Sequence, residues 1–201
     1  MSATRFLAHL HEDDARFLCY PAGPDSADRI EVPIRHAMGS PAAPEHLSKL
    51  RQLLGAHAVQ VEELYSKHDG LELYVQSSDH LGLLMLPINE WEPTTRRFKG
   101  ELEEWGRSLD EAFDFERYGI AFGEPALSGN LLFLYDGAVY YSDHDGGDET
   151  PLASSFGGFL DRIVDDPAKL LYDLGCYARY SDERTDKQWI PERYLSRERN
   201  A

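Results

Sequence analysis

The sequence predicts a single α+β domain in which a mainly antiparallel β-sheet is covered by α-helices. Three observations lead to this class. The chain has 201 residues, 42% of them apolar and 11% aromatic, which is enough for one core. Residues 130–143, NLLFLYDGAVYYSD, form two alternating runs joined by Asp136 and Gly137, a pair suited to a two-residue hairpin turn. Other segments place apolar residues at helical spacing, so helices and sheet share one domain.

The N-terminal part of the chain has the least regular pattern. Residues 4–20 have loosely helical apolar spacing and predict a helix. Residues 29–35, RIEVPIR, alternate like a strand, and Pro33 predicts that this strand lies at the edge of a sheet, because proline has no N–H to donate. Residues 39–44, GSPAAP, predict a linker.

Two helices are predicted after the linker. The first places four leucines on one face and ends at Gly55. The second places Val61, Leu64 and Tyr65 on its face and ends at residues 68–70, HDG. The alternating residues 71–75 then predict a strand.

The middle of the chain predicts a buried strand before the hairpin. Residues 81–88, LGLLMLPI, are apolar enough for a central strand, and residues 89–105 are more polar and predict a partly helical segment. After the hairpin, residues 156–163 present a helical apolar face, residues 165–167 interrupt it, and a last short helix ends at Gly175.

The chain divides into three predicted parts. Residues 1–44 form an N-terminal extension packed on the domain, residues 45–175 form the α+β domain, and residues 176–201 form a charged tail. Trp189 and Tyr194 predict that the tail docks on the domain.

Composition excludes several classes of function. The formal net charge is −16, with 36 Asp and Glu against 20 Lys and Arg, so direct binding to nucleic acid is not expected. A basic protein is the expected partner. No stretch has the roughly 20 apolar residues that cross a membrane, and the N-terminus lacks a signal-peptide core, so we expect a cytoplasmic protein. Cys19 and Cys176 are too few for a disulfide framework and are expected to be reduced thiols.

The sequence carries no recognised catalytic or cofactor-binding motif. There is no P-loop, no GxGxxG opening a helix and no GxSxG elbow. His9 and His11 lie two residues apart in a predicted helix, where they would point to nearly opposite sides and could not share a metal ion. We therefore expect no catalytic set, no metal and no cofactor, and an enzyme is the third-ranked alternative.

The stretch YYSDHDGGDET, residues 140–150, concentrates four acids: Asp143, Asp145, Asp148 and Glu149. A calcium loop of the EF-hand type would need a glycine at its sixth position and a glutamate at its twelfth, and the match fails at both. The alternatives are a looser calcium or magnesium site built from Asp143, Asp145 and Asp148, a solvated loop, and an acidic docking surface. Because residues 118–161 contain no Lys or Arg, we assign these four acids as the predicted partner-binding residues, with a merely solubilising surface as the competing interpretation.

The order of these segments resembles the SMI1/KNR4, or SUKH, superfamily. The resemblance rests on four segments: LYSKHDGLELY at 64–74, LLMLPINEW at 83–91, GNLLFLYDGAVYYSDHD at 129–145 and LASSFGGFLDRI at 152–163. Together they cover about residues 45–175. Their motifs are mostly apolar core positions and carry no catalytic residues.

The resemblance implies an SMI1/KNR4-like α+β fold and a protein-binding module. Bacterial members of the superfamily are typically immunity proteins that bind and neutralise a toxin, and many such toxins are basic nucleases. An acidic inhibitor would be steered to a basic nuclease by its charge. The alternative from the same superfamily is a regulatory scaffold that binds an endogenous protein.

Overall fold

The structure is a computed structural model, which describes residues 1–12, 16–20, 30–76, 82–126, 128–143, 149–165, 167–174 and 188–191. Its helices are α1 (Ala3–Glu12), α2 (Pro44–Leu54), α3 (Ala58–Tyr65), α4 (Ile88–Glu104), α5 (Asp114–Tyr118), α6 (Phe156–Asp165) and α7 (Pro167–Asp173), with a short 3-10 turn at Gly55–His57. Its strands are β1 (Arg16–Tyr20), β2 (Ile30–Met38), β3 (Leu71–Gln76), β4 (Leu83–Met85), β5 (Ile120–Pro125), β6 (Leu131–Tyr135), β7 (Ala138–Ser142) and β8 (Gln188–Pro191).

The described strands form one sheet in the order β7-β6-β5-β4-β3-β2-β1-β8. Every neighbouring pair is antiparallel. Helices cover the sheet, so the predicted α+β class is confirmed. No helix of the described residues combines the length and the apolar character that crossing a bilayer requires.

The sheet separates two apolar cores, and strand β6 shows the division most clearly. Leu132 and Leu134 point into the main core, which the helices α1, α3 and α6 close. Leu131 and Phe133 point the other way, into a second core with residues of α4 and α5. A strand buried on both faces needs a continuous apolar run, and this requirement explains why β6 reads LLFL.

The predicted hairpin is confirmed. Strands β6 and β7 pair from Leu131 opposite Ser142 to Tyr135 opposite Ala138. Asp136 and Gly137 form the turn with φ angles of 46° and 78°. A two-residue turn with positive φ at both positions matches the right-handed twist of the strands.

Two predictions for the N-terminal part are wrong. The helix stops at Glu12, and Arg16–Tyr20 form strand β1, because this segment pairs with β2 on one side and β8 on the other. Strand β2 is internal and not at an edge. The ladder with β1 ends at Pro33, and the ladder with β3 begins at Ile34, so the proline stands where one set of pairs gives way to the other.

The predicted central strand and the segment predicted as partly helical are both present, but they begin and end at other residues than predicted. Strand β4 lies between β3 and β5, as predicted, but it contains only Leu83–Met85. Ile88 already begins α4, which runs for 17 residues where a partly helical segment is predicted. Trp91, Phe98 and Leu102 of this helix are buried, and tertiary packing on the sheet stabilises a sequence whose surface is mostly polar.

The segments predicted as extension and tail both contribute to the sheet. Residues 1–44 supply α1, β1 and β2, and Phe6 of α1 is fully buried in the main core. In the tail, β8 contains Trp189 and pairs with β1, whereas Tyr194 lies outside the described residues. The three-part division of the chain stays a prediction.

Candidate functional site

The structure describes two of the four predicted partner-binding acids. Asp143 follows directly after β7 and is partly buried, and Glu149 is exposed. Asp145 and Asp148 lie outside the described residues. Within the described part of the chain, no three His, Cys, Asp or Glu side chains come together as a metal-binding group. The assignment of these four acids to partner binding stays a prediction.

The described acids of the span without Lys or Arg lie at separate places on the domain. Glu124 forms an ion pair with Arg97, Asp161 forms one with the N-terminal ammonium group, and Asp136 contacts the imidazole of His57. Asp136 lies at the turn end of the hairpin and Asp143 at its opposite end. The five residues of β7 separate them by roughly 17 Å at the usual rise of a strand.

A cleft of about 590 Å³ lies at the turn end of the hairpin. The hairpin tip lines it with Tyr135, Asp136 and Gly137, and the 3-10 turn and the start of α3 line it with residues that include His57 and Val59. Tyr118, the last residue of α5, lines the cleft, as do apolar residues of the main core. Ser154, Ser155 and Phe156 line it as well, so four separate parts of the chain meet at this site, which we call the hairpin-tip cleft.

Two large hydrophobic side chains at this cleft are exposed to solvent. Val59 is 74% exposed and Tyr118 is 64% exposed. Among the described residues Trp105 is the one other large hydrophobic side chain with comparable exposure. Grouped exposed hydrophobic side chains, unlike single ones, mark surfaces that bind other molecules.

Asp136 gives the cleft one carboxylate among its lining residues. The carboxylate of Asp136 is 84% exposed, and its Oδ1 atom lies 3.5 Å from Nε2 of His57. Partial burial raises the pKa of the Tyr135 hydroxyl, and the negative charges of Asp114 and Asp136 raise it further. Two carboxylates therefore act on the same phenol ring at the rim of the cleft.

Helix α5 holds Tyr118 in place through a buried carboxylate. Glu116 has no exposed side-chain surface. Its Oε2 atom accepts hydrogen bonds from Nη2 of Arg107 at 2.7 Å and from the backbone N–H of Phe113 at 3.1 Å. Its Oε1 atom accepts a hydrogen bond from Oγ of Ser142 at 2.7 Å, which connects α5 to strand β7.

Aromatic stacking reinforces the position of α5. Phe115 is stacked on Phe113 at 5.6 Å and on Tyr140 of β7 at 4.7 Å, measured between ring centroids. Phe115 also meets Phe133 of β6 edge-on at 5.9 Å. These contacts, together with the bonds of Glu116, position α5 against the hairpin whose tip lines the cleft.

Sequence reasoning misses the hairpin-tip cleft because its walls are far apart in the chain. His57 and Asp136 are separated by 79 positions, yet a Cβ atom on Gly137 would lie 2.5 Å from Nδ1 of His57. One local signal was present: Val59 is apolar but lies off the face formed by Val61, Leu64 and Tyr65. An apolar residue on the outer face of a helix is either an isolated exposed side chain or part of a surface that binds another molecule.

The chemistry available at the cleft suits recognition. It offers aromatic faces, apolar contact area and one exposed carboxylate. Ser155 also lines the cleft. Its Oγ atom accepts a hydrogen bond from the backbone N–H of Gly158 at 3.0 Å, which makes Ser155 the N-cap of α6. The same serine hydroxyl is therefore already engaged in supporting the helix.

No protein-family model matches this chain, and no curated protein matches it significantly. The resemblance to the SMI1/KNR4 superfamily therefore stays a prediction.

Proposed function

We propose that this protein is a protein-binding module of the SMI1/KNR4 type, an immunity protein that binds and neutralises a basic, nuclease-type toxin in the cytoplasm. The observation that carries this proposal is the excess of acids. The chain has 36 Asp and Glu residues and 20 Lys and Arg residues. Even if every Lys and Arg paired with one acid, 16 carboxylates would be left in excess. A protein with this excess attracts basic surfaces and repels nucleic acid.

The arrangement of the elements supports the same proposal. The helix pair α2 and α3, strands β3 and β4, the β6–β7 hairpin and helix α6 follow one another in the order that the resemblance implies. An inhibitor of a nuclease has to occupy the surface that binds phosphates, and a basic surface of that kind is complementary to an acidic module.

The test is co-expression with a toxin encoded by a neighbouring gene, followed by binding kinetics of the purified pair. We expect a stable complex, protection of the cells, and an association rate that falls as salt rises, because exposed charges more than about 10 Å apart are screened near 0.1 M ionic strength. A purified toxin that forms no complex with the protein would contradict the proposal.

A charge-removal variant tests the predicted docking loop. Replacing Asp143, Asp145 and Asp148 by Asn and Glu149 by Gln removes four charges at similar size, and we expect a slower association rate with unchanged folding. The matched control replaces four other exposed acids by Gln: Glu63, Glu90, Glu103 and Glu104. If both variants slow association equally, the total charge attracts the partner and the loop is not the contact surface.

A further inference from the structure

The hairpin-tip cleft has the size and surface of a site that receives a side chain. Its volume of about 590 Å³ lies within the range of about 300–1,000 Å³ that is usual for ligand sites. Val59 and Tyr118 expose most of their surface at its rim. Tyrosine is among the residues that contribute most to the free energy of protein–protein binding.

The charges around the cleft favour a cation. Asp136 lines the cleft, and the negative charges of Asp136 and Asp114 both act on the Tyr135 hydroxyl. The basic groups in the same region are His57, which lines the cleft, and Arg117, which lies 3.8 Å from Asp110. The contact of Asp136 with His57, at 3.5 Å, is longer than a direct hydrogen bond. Because a carboxylate has about four acceptor positions, Asp136 keeps the capacity to bind a further donor.

Aromatic rings at the two ends of α5 already contact guanidinium groups of the chain itself. The guanidinium carbon of Arg117 lies 5.6 Å from the ring centroid of Tyr118, and that of Arg107 lies 5.6 Å from the ring centroid of Phe113. Both distances are within the range of a cation–π contact. Tyr118 still exposes most of its surface, so its ring has area for a second contact.

We propose that the hairpin-tip cleft binds an arginine or lysine side chain presented by the protein partner, with Asp136 as the counter-ion and the rings of Tyr118 and Tyr135 as stacking surfaces. Arginine is the better fit, because its planar guanidinium stacks on aromatic rings and also donates to a carboxylate. The inference rests on the proposed function for the identity of the partner, but not for the chemistry of the site.

The first experiment titrates the isolated protein with N-acetyl-arginine amide and follows the backbone amide signals by NMR. We expect saturable shifts at Tyr118, Tyr135 and Gly137 with a Kd on the order of 1–10 mM, and much smaller shifts with N-acetyl-citrulline amide, its neutral analogue. Equal shifts with both compounds, or shifts at residues away from the cleft, would overturn the inference.

Two variants test whether Asp136 contributes to binding of the arginine probe. Asp136→Asn removes the charge and keeps the turn, because asparagine tolerates positive φ, and we expect it to weaken arginine binding by about threefold or more. Glu103→Gln removes one exposed charge from α4 and serves as the control, which we expect to bind as the original protein does. Unchanged affinity in Asp136→Asn would contradict the assigned role of Asp136.

Binding of the toxin by this protein then separates the inference about the cleft from the proposed immunity function. If the double variant Asp136→Asn, Tyr118→Leu binds the toxin as tightly as the original protein, the cleft is not the docking site, although the immunity function stands. If the original protein binds the arginine probe at the cleft but binds no toxin, the immunity function fails and the site itself stands.

Discussion

Tyr65 places an ionisable hydroxyl inside the main core. Its side chain is fully buried, and the hydroxyl donates to the backbone carbonyl of Leu86 at 3.0 Å. Nε1 of Trp91 donates to the same carbonyl at 2.9 Å, and the two rings meet edge-on. Burial raises the pKa of the Tyr65 hydroxyl far above its ordinary value, and the charge of Asp69 raises it further.

This shift predicts a loss of stability at alkaline pH. In the unfolded chain the hydroxyl loses its proton near pH 10, whereas in the folded protein it stays protonated to higher pH. The contribution of Tyr65 to stability is therefore complete below about pH 10 and decreases as the pH rises above it, by up to about 1.4 kcal/mol per pH unit. We expect Tyr65→Phe to reduce this pH dependence, although it loses one hydrogen bond at neutral pH.

Urea unfolding between about pH 8 and about pH 11 provides the measurement. Tyr118→Phe changes an exposed tyrosine and is the control. Its free energy of unfolding should fall with rising pH as steeply as that of the original protein. A Tyr65→Phe protein with the same alkaline slope as the original would show that another group causes the loss.

At the scale of elements, the five residues of α5 depend on tertiary contacts. A helix this short is not stable by itself. Glu116 compensates by accepting three hydrogen bonds, from Arg107, from the backbone of Phe113 and from Ser142. Because Tyr118 ends the same helix, the position of the cleft rim depends on this buried carboxylate.

We expect Glu116→Gln to lower the free energy of unfolding by about 1–3 kcal/mol, because it removes the charge that pairs with Arg107 and replaces one acceptor oxygen by a donor. Urea unfolding measures the change. Glu103→Gln makes the same chemical replacement at an exposed position and should stay within about 0.5 kcal/mol of the original protein. A change of similar size in both variants would argue against an anchoring role for Glu116.

At the scale of the whole molecule, the formal net charge of −16 opposes folding. Like charges repel more strongly in the compact state than in the expanded unfolded chain. Intramolecular pairs such as Lys49 with Glu92, at 2.6 Å, relieve part of this repulsion. Each pair uses one acid and one base, so pairing leaves the excess of 16 carboxylates unchanged.

We therefore expect Tm to rise by a few degrees when the NaCl concentration increases from about 0.02 M to about 0.3 M, because salt screens exposed charges. For a chain of this length about 1 kcal/mol corresponds to roughly 2–4 °C in Tm. The variant in which Glu63, Glu90, Glu103 and Glu104 are all replaced by Gln has a formal net charge of −12 in place of −16. Because it has less repulsion to screen, its Tm should rise less with salt. A Tm that stays constant or falls with salt would mean that repulsion is not a significant cost.

The sequence by itself determined the elements that depend on near neighbours. The Asp136–Gly137 turn needs only two residues that accept positive φ, and both have it in the structure. Helix α2 has its apolar face and its terminating Gly55, with φ of 53°, within twelve residues. Local chemistry is sufficient in these cases, because the stabilising contacts lie within a few positions along the chain.

Only the tertiary structure decided which segments became neighbours. Arg16–Tyr20 are a strand because β2 and β8 lie on either side, and Pro33 is tolerated inside the sheet because two ladders meet there. The hairpin-tip cleft exists because the main core brings His57 to the turn at Asp136. Long-range packing sets these distances, and a pattern that spans a few residues contains no information about them.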